Sequence, residues 1–128
     1  MKVRGIRGAI TVTEDTEEKI ITAATELLNE IIAENDLKKE NVASVTFSLT
    51  PDLNSAFPAV AARELGWENV ALFCCQELAI NDALEKCIRI LIHYNTDKAA
   101  AELNHIYLKN AKQLRPDLAE EGVEKNGE

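Results

Sequence analysis

Arg89 is the residue whose setting most clearly indicates a chemical role. It lies inside the most hydrophobic run of the chain, residues 86–94. A guanidinium keeps its positive charge at any physiological pH, and burying it is costly unless an anion or several acceptors contact it. Arg89 therefore predicts a negative partner. That partner is either a carboxylate of the same chain, in a buried ion pair, or a ligand whose negative charge the arginine binds.

The run around Arg89 is short and rich in β-branched residues, which favours a buried β-strand. Side chains of a strand alternate between two faces. One face would belong to the core, and its members would be Ile88, Ile90 and Ile92. The opposite face would present a fixed cation in a mostly apolar setting, and its members would be Cys87, Arg89, Leu91 and His93.

The charge of the whole chain limits what its partner can be. The formal net charge is -8, which argues against nucleic acid because phosphate binding needs a basic face. An anionic small molecule must then be bound by local cations. Arginines outside the solvated helix faces are the candidates. The arginines of the chain are Arg4, Arg7, Arg63, Arg89 and Arg115.

Composition and cysteine usage indicate one globular domain in the cytoplasm. The 128 residues are 46% hydrophobic and 28% charged, and no apolar segment approaches the roughly 20 residues of a membrane span. The three cysteines are odd in number and two of them are adjacent, which favours reduced thiols over a disulfide framework. No Cys-x-x-Cys occurs, and the two histidines do not form a ligand spacing with the thiols, so no metal is expected.

The secondary-structure elements around Arg89 are predicted from hydrophobic periodicity and from residues that begin or end helices. Apolar residues at three- and four-residue steps predict an amphipathic helix from about Ile20 to Ile32, preceded by a cap at residues 15–18. Pro58 and Gly66 predict a short helix between them. Strands are predicted at residues 3–12, 42–49, 69–75, 86–94 and 105–114, and a short helix or turn at 97–103.

This order predicts an α/β or α+β domain, in which helices cover one face of the sheet. The chain has too few helices to cover the other face. A homo-oligomer that packs sheet faces together would cover it, with the ligand at the subunit boundaries. Residues 1–118 form the predicted domain, and the acidic segment 119–128 has no apolar pattern and is expected to be disordered.

Several segments, taken together, resemble the AroH class of monofunctional chorismate mutase. The resemblance covers nearly the whole chain up to Leu118, in the order and spacing of that family. The segments are Met1-Lys2-Val3-Arg4-Gly5-Ile6-Arg7-Gly8-Ala9, Thr50-Pro51-Asp52-Leu53, Ala56-Phe57-Pro58-Ala59, Arg63-Glu64-Leu65, Cys74-Cys75-Gln76-Glu77, Lys86-Cys87-Ile88-Arg89, Ile106-Tyr107-Leu108 and Leu114-Arg115-Pro116-Asp117-Leu118.

The resemblance implies a chorismate-mutase-like fold, a mixed β-sheet with helices on one face. It also implies a homotrimer with a central β-barrel-like core and three active sites between neighbouring subunits. The implied reaction is the [3,3] rearrangement of chorismate to prephenate in phenylalanine and tyrosine synthesis. This reaction needs no cofactor and no covalent intermediate.

The chemistry of that reaction explains the residue types. Chorismate is a dicarboxylate, so its site needs cationic or donor groups. The C–O bond breaks ahead of C–C bond formation, which leaves partial negative charge on the ether oxygen in the transition state. A fixed cation at that oxygen binds the transition state more tightly than the ground state and lowers the barrier. By the resemblance, Arg89 has this role.

The resemblance also assigns the other site residues. Arg7 would bind a substrate carboxylate, and Tyr107 would contact a carboxylate through its hydroxyl. Glu77 would accept a hydrogen bond from the ring hydroxyl, beside which Cys74 would lie. Three further positions would contribute to the rim and to a C-terminal lid: Phe57, Arg63 and Leu114.

Two positions depart from the family pattern. Val60 stands where the family often has lysine, which removes a cation near the entrance of the site. Phe73 stands where a threonine commonly precedes the cysteine, so only backbone contacts with substrate are expected there. We expect these departures to alter substrate capture before they alter the chemistry.

Simpler interpretations of these residues stay open at this point. Glu77 could be only the buried partner of Arg89, and Tyr107 a half-buried strand aromatic. Cys74 could be a small core residue. Three others are expected to be structural: Cys75 and Cys87 as packing residues, and Arg115 as the residue that orders the C-terminal turn.

Two other functions compete with the mutase. A trimeric module that binds a small dicarboxylate without catalysis would use the same cations, because fold does not determine function. A deaminase of the similar trimeric imine-hydrolysing fold would need a water-activating group and a differently placed arginine, and the sequence shows no sign of either beyond Arg89.

Overall fold

The structure is a computed structural model that describes residues 1–115. The predicted boundary at Leu118 and the predicted disorder of residues 119–128 therefore lie outside the described residues. The described chain contains five strands and two α-helices: β1 (Lys2–Thr11), α1 (Glu17–Asn35), β2 (Val42–Leu49), α2 (Ala59–Glu64), β3 (Ala71–Gln76), β4 (Cys87–Thr96) and β5 (Ile106–Leu108). Three 3-10 helices connect them, at Lys39–Asn41, Ala100–Glu102 and Lys109–Gln113.

The long helix α1 begins at the cap that its sequence predicts. Thr16 is the N-cap, and its Oγ1 accepts a hydrogen bond from the Lys19 amide at 3.2 Å. Asp36 ends the helix in the left-handed conformation, with φ 46°. The apolar stripe is buried, as expected. None of the helices in residues 1–115 is long and apolar enough to cross a membrane.

The five strands form one mixed sheet in the order β3-β2-β4-β1-β5. β4 pairs antiparallel with β1 and β2, whereas β5 and β3 pair parallel with β1 and β2. Both helices share one core with one face of the sheet. Gly8 allows this packing, because a Cβ there would lie 2.8 Å from Ile31 Cδ1 of α1 and 2.9 Å from Ile90 Cγ2. The predicted sheet with helices on one face is confirmed.

The alternation predicted for β4 is present, but Arg89 is not buried. Ile88, Ile90 and Ile92 are buried, whereas the side chain of Arg89 is 44% exposed. The expectation of a buried arginine was wrong for the single chain, because both helices pack on the isoleucine face. We call the opposite side, which carries Arg89, the open face.

The last predicted strand is much shorter than expected. Only Ile106–Leu108 pairs with β1, and a 3-10 helix replaces the rest of the predicted strand. The chain leaves the ladder at Lys109, which has φ 56°, a conformation that a continuous strand does not contain. The 3-10 helix buries Ala111 against Ala9 and Cys87 on the open face. These residues form a small second core, and the chain after Leu108 does not continue the strand.

The turn after β2 anchors the beginning of the arginine strand. The Asp52 carboxylate accepts hydrogen bonds from the Lys86 amide at 2.9 and 3.1 Å. The Thr50 hydroxyl accepts a bond from the Cys87 amide at 3.0 Å. These bonds hold the beginning of β4, two to three positions before Arg89.

Candidate active site

One row of side chains crosses the open face from one edge of the sheet to the other. Ser48 of β2 is opposite both Cys75 and Arg89, and Ala9 of β1 is opposite both Arg89 and Tyr107. Strand alternation directs all of these residues to the same face. The row therefore places Tyr107 near Arg89 although the two residues belong to strands that do not pair directly.

A cavity of about 440 Å³ lies over this row. It includes Arg7, Arg89, Tyr107 and Leu114, four of the residues that the sequence assigned to the site. The structure adds residues that the sequence had not assigned to the substrate: Gly8, Thr46, Ser48, Cys75, Ile90, Leu91 and Arg115.

The negative partner of Arg89 within its own chain is Glu77. The Nε atom of Arg89 lies 3.0 Å from Oε2 of Glu77, whose side chain is 18% exposed. The Ser48 hydroxyl donates a 2.8 Å hydrogen bond to the same oxygen. The Glu77 amide donates to the carbonyl of Leu49 at 2.8 Å, which holds the residue beside the end of β2. The intrachain ion pair therefore exists, but both of its side chains are partly exposed to solvent.

Arg7 and Tyr107 are held on the neighbouring strands. The amide of Arg7 donates a hydrogen bond of 3.0 Å to Nδ1 of His105, just before β5 begins to pair with β1. The Arg7 side chain is exposed on the open face, and Tyr107 is half-buried there. The two residues thus approach the cavity from strands on the far side of Arg89 relative to Glu77.

The three cysteines have three different environments. Cys87 is fully buried under the cavity, and burial raises the pKa of its thiol to about 11, although Arg89 acts in the opposite direction. Its predicted packing role is confirmed. Cys75 lines the cavity and is exposed, so its predicted packing role was wrong. Cys74 faces the core, and burial raises the pKa of its thiol too.

Five of the predicted site residues do not line this cavity. Glu77 lies beside it through its contact with Arg89, and we call the other four the edge group: Phe57, Arg63, Phe73 and Cys74. They belong to α2, to the loop before it and to the edge strand β3. Cys74 lies against the backbone of Ala59 and near Arg63. Phe57 and Phe73 are 68% and 66% exposed. In a single chain, the predicted site is therefore divided into a cavity half and an edge half.

The signal for two of the added residues was present in the sequence. β2 alternates polar and apolar residues, so the hydroxyl side chains of Ser44, Thr46 and Ser48 share the face opposite the buried Val45 and Phe47. The contribution of Cys75 depends on how β3 pairs with β2, and that of Arg115 depends on the path of the 3-10 helix. Neither follows from local periodicity.

The charges of the site favour an anionic ligand. Three arginines and no carboxylate line the cavity among the described residues, and Glu77 lies beside it, paired with Arg89, in a chain with a net charge of -8. Guanidinium groups bind carboxylates by paired hydrogen bonds. No cluster of three His, Cys, Asp or Glu that could hold a metal is found in residues 1–115. The size and charge of this cavity suit a small ligand that carries carboxylates.

Comparison with known proteins agrees with this class of site. Residues 3–118 match the family described as "Chorismate mutase type I". The chain is 47% identical over 120 residues to "Chorismate mutase AroH" of Bacillus subtilis, covering 93% of this chain and 94% of that protein. It is 47% identical over 117 residues to "Chorismate mutase AroH" of Thermus thermophilus, covering 91% and 96% of the two chains.

A solved structure shows the same architecture. The chorismate mutase from Clostridium thermocellum superposes with a TM-score of 0.84 at 43% identity, over 85% of this chain and 97% of that chain. The chain belongs to the chorismate mutase type I family. It is thus an enzyme of the isomerase class, and its function is that of a chorismate mutase in aromatic amino acid biosynthesis. The resemblance deduced from the sequence motifs is confirmed.

Proposed function

We propose that the chain converts chorismate to prephenate at the cavity over the β-sheet, with Arg89 as the cation of the transition state. The observation that carries this proposal is the position of Arg89. It lies on β4, the central strand of the sheet, and Glu77 contacts it at the Nε atom. Because charge develops on the ether oxygen only as the C–O bond breaks, an arginine directed at that oxygen lowers the barrier.

The other cavity residues, together with Glu77 beside the cavity, bind and orient the substrate. Arg7 binds one carboxylate, and the hydroxyl of Tyr107 contacts a carboxylate as well. Glu77 accepts a hydrogen bond from the ring hydroxyl, for which its Oε1 atom is available beside the bonds that Oε2 makes. Holding the enolpyruvyl arm over the ring contributes through orientation. Leu114, at the C-terminal side of the cavity, covers the bound substrate.

We propose further that the edge group of a second copy completes each site. Cys74 faces the core while its neighbour Cys75 faces the cavity, so the two cannot contact one ligand in the same subunit. The exposed aromatic rings of Phe57 and Phe73 are typical of a surface that a partner covers. The edge group of one copy would then supply to its neighbour the substrate contacts that the cavity lacks.

Such a contact joins two different surfaces, and a heterologous contact closes into a ring when the rotation allows it. A ring of three copies, as the family resemblance implies, would cover the open faces and form the barrel-like centre. The same resemblance and the three free thiols favour an enzyme of the cytoplasm. The Claisen rearrangement proceeds in this site without cofactor.

Mixing two inactive variants tests the shared site. Arg89→Ala removes the cation of the cavity half, and Arg63→Ala combined with Phe57→Ala damages the edge half. If subunits exchange in a mixture, some sites combine an intact cavity with an intact edge group. We expect the rate of chorismate turnover, monitored by the loss of chorismate absorbance, to rise well above the rate of either variant alone. At equal mixing the rate should approach about one quarter of the wild-type value.

The controls decide between the parts of the proposal. A mixture of Arg89→Ala with Tyr107→Phe, both in the cavity half, should gain nothing, because every site then carries one of these defects. Light scattering of each variant tests whether the subunits assemble as threes. Absence of complementation in a mixture denatured and refolded together, so that mixed trimers form, would contradict the shared site, whereas an inactive wild-type protein would contradict the activity itself.

A further inference from the structure

Ser48 lines the cavity but has no role in the assignments above. It lies on β2, directly opposite Arg89 on one side and Cys75 on the other. Its hydroxyl donates to Oε2 of Glu77 at 2.8 Å, shorter than the 3.0 Å that separates this oxygen from Nε of Arg89. One carboxylate oxygen thus receives two donors from two neighbouring strands.

The double contact determines the orientation of the Glu77 carboxylate. Glu77 directly follows β3, and the bond of its amide to the carbonyl of Leu49 holds its backbone but not its carboxylate. An ion pair between partly exposed side chains contributes little order by itself. A short hydrogen bond from a neutral hydroxyl to a carboxylate is stronger than a hydrogen bond between two neutral groups. It also depends more on direction than the ion pair does. Ser48 therefore supplies the restraint that the ion pair lacks.

We propose that Ser48 is a positioning residue for the rearrangement, acting through Glu77. By holding Oε2, it directs Oε1 towards the cavity and keeps the carboxylate on the Nε side of Arg89. The terminal nitrogens of Arg89 are then directed to the substrate and not to Glu77. This inference depends on the roles proposed above for Glu77 and Arg89, and it adds a residue that determines the geometry of both.

Removal of the hydroxyl tests the proposal. We expect Ser48→Ala to lower kcat/KM about tenfold, the effect of losing a hydrogen bond to a charged group. Ser48→Thr keeps a hydroxyl at the same position and should restore most of the activity. The matched control is Ser44→Ala, on the same face of the same strand, where the hydroxyl contacts Nδ1 of His93 at 3.1 Å and lies outside the cavity. This control should retain wild-type kcat/KM.

A double-mutant cycle separates positioning from a direct or purely structural role. If Ser48 acts through Glu77, Ser48→Ala should change kcat/KM by less than about twofold in a Glu77→Ala background. If the two losses multiply, the proposal is overturned even though the assignment of Glu77 stands. Wild-type turnover by Glu77→Ala itself would overturn the assignment of Glu77, and the inference with it. Thermal unfolding of each variant checks that the fold is retained.

Discussion

The two faces of the β-sheet differ completely in chemistry although the same strands supply both. On the helix-covered face, β4 places Ile88, Ile90 and Ile92 in the core without a charge among them. On the open face, the same strand places Arg89 beside Ser48. The comparison shows that one strand can place core residues at its even-numbered positions and a charged cavity residue at an odd-numbered one.

This separation has a physical cause. Side chains of the covered face are removed from water and interlock with α1, so any change in their volume alters packing. On the open face only a small second core is buried, and the polar side chains of Arg89 and Glu77 remain partly exposed to solvent. Substitutions should therefore affect stability on one face and turnover on the other.

The largest expected effect is on the covered face. Phe47 is fully buried between the sheet and the helices, and Phe47→Ala should lower the free energy of unfolding by about 3–5 kcal/mol, because the substitution leaves a cavity. Urea unfolding at a fixed protein concentration measures this loss. Activity per folded molecule should be nearly unchanged.

The neighbouring open-face residue is the control for Phe47. Thr46→Ala, one residue earlier on β2, should cost less than about 1 kcal/mol in the same measurement, since Thr46 is only half-buried. Equal losses of stability for the two substitutions would contradict the inference that the helix-covered face contributes most of the stability.

The second effect is on catalysis. Arg89→Lys keeps the positive charge but loses the planar guanidinium, so kcat should fall about 10²–10³-fold. The partly exposed ion pair with Glu77 contributes little to folding, so the melting temperature should remain close to that of the wild type. Steady-state kinetics with chorismate and thermal unfolding measure the two quantities.

A second arginine serves as the control for Arg89. Arg4 lies on β1 outside the cavity, where its Nε donates to the carbonyl of Lys98 at 3.3 Å. Arg4→Lys should leave kcat within about twofold of the wild type. Near-normal turnover of Arg89→Lys would show that Arg89 is not the transition-state cation.

The smallest effect concerns Cys87, a residue of the open face that is nevertheless buried. Burial raises the pKa of its thiol from about 9 to about 11, so between these values the unfolded chain loses the proton and the folded chain keeps it. Since the unfolded state binds fewer protons there, stability falls as pH rises, and this loss is absent below about pH 9. By pH 10 the contribution is about 1 kcal/mol.

Cys87→Ala isolates this contribution. The substitution changes packing by an amount that does not depend on pH, so only the slope of stability against pH is compared. The variant should lose less stability than the wild type between pH 8 and pH 10 in urea unfolding. Parallel curves would mean that the thiol of Cys87 does not titrate differently in the folded and unfolded states.

Much of the fold was predictable because its signals are local. The apolar stripe of α1, the cap at Thr16 and the turn at Gly66 each depend on residues within a few positions of one another, and all three are present. The last strand was not predictable to its end. Its residues have strand character, but the burial of Ala111 against Ala9 and Cys87 depends on contacts far apart in sequence.

The candidate site was predictable in part for the same reason. Arg7, Arg89, Tyr107 and Leu114 were found from motifs, and the structure brings them to one cavity. Ser48 and Cys75 were not assigned, because their approach to Arg89 follows from the pairing of β2 with β4 and β3. The edge group was found from motifs as well, but its position away from the cavity required the folded chain.

The sequence by itself determined the family, the alternation around Arg89 and the acidic charge that leaves anion binding to a few arginines. These properties depend on residue identity and on short-range periodicity. The tertiary structure decided which face the helices cover, which of Cys74 and Cys75 meets the cavity, and that Ser48 and Arg89 share one oxygen of Glu77. Those outcomes depend on strand pairing across the sheet, which joins residues that no local pattern connects.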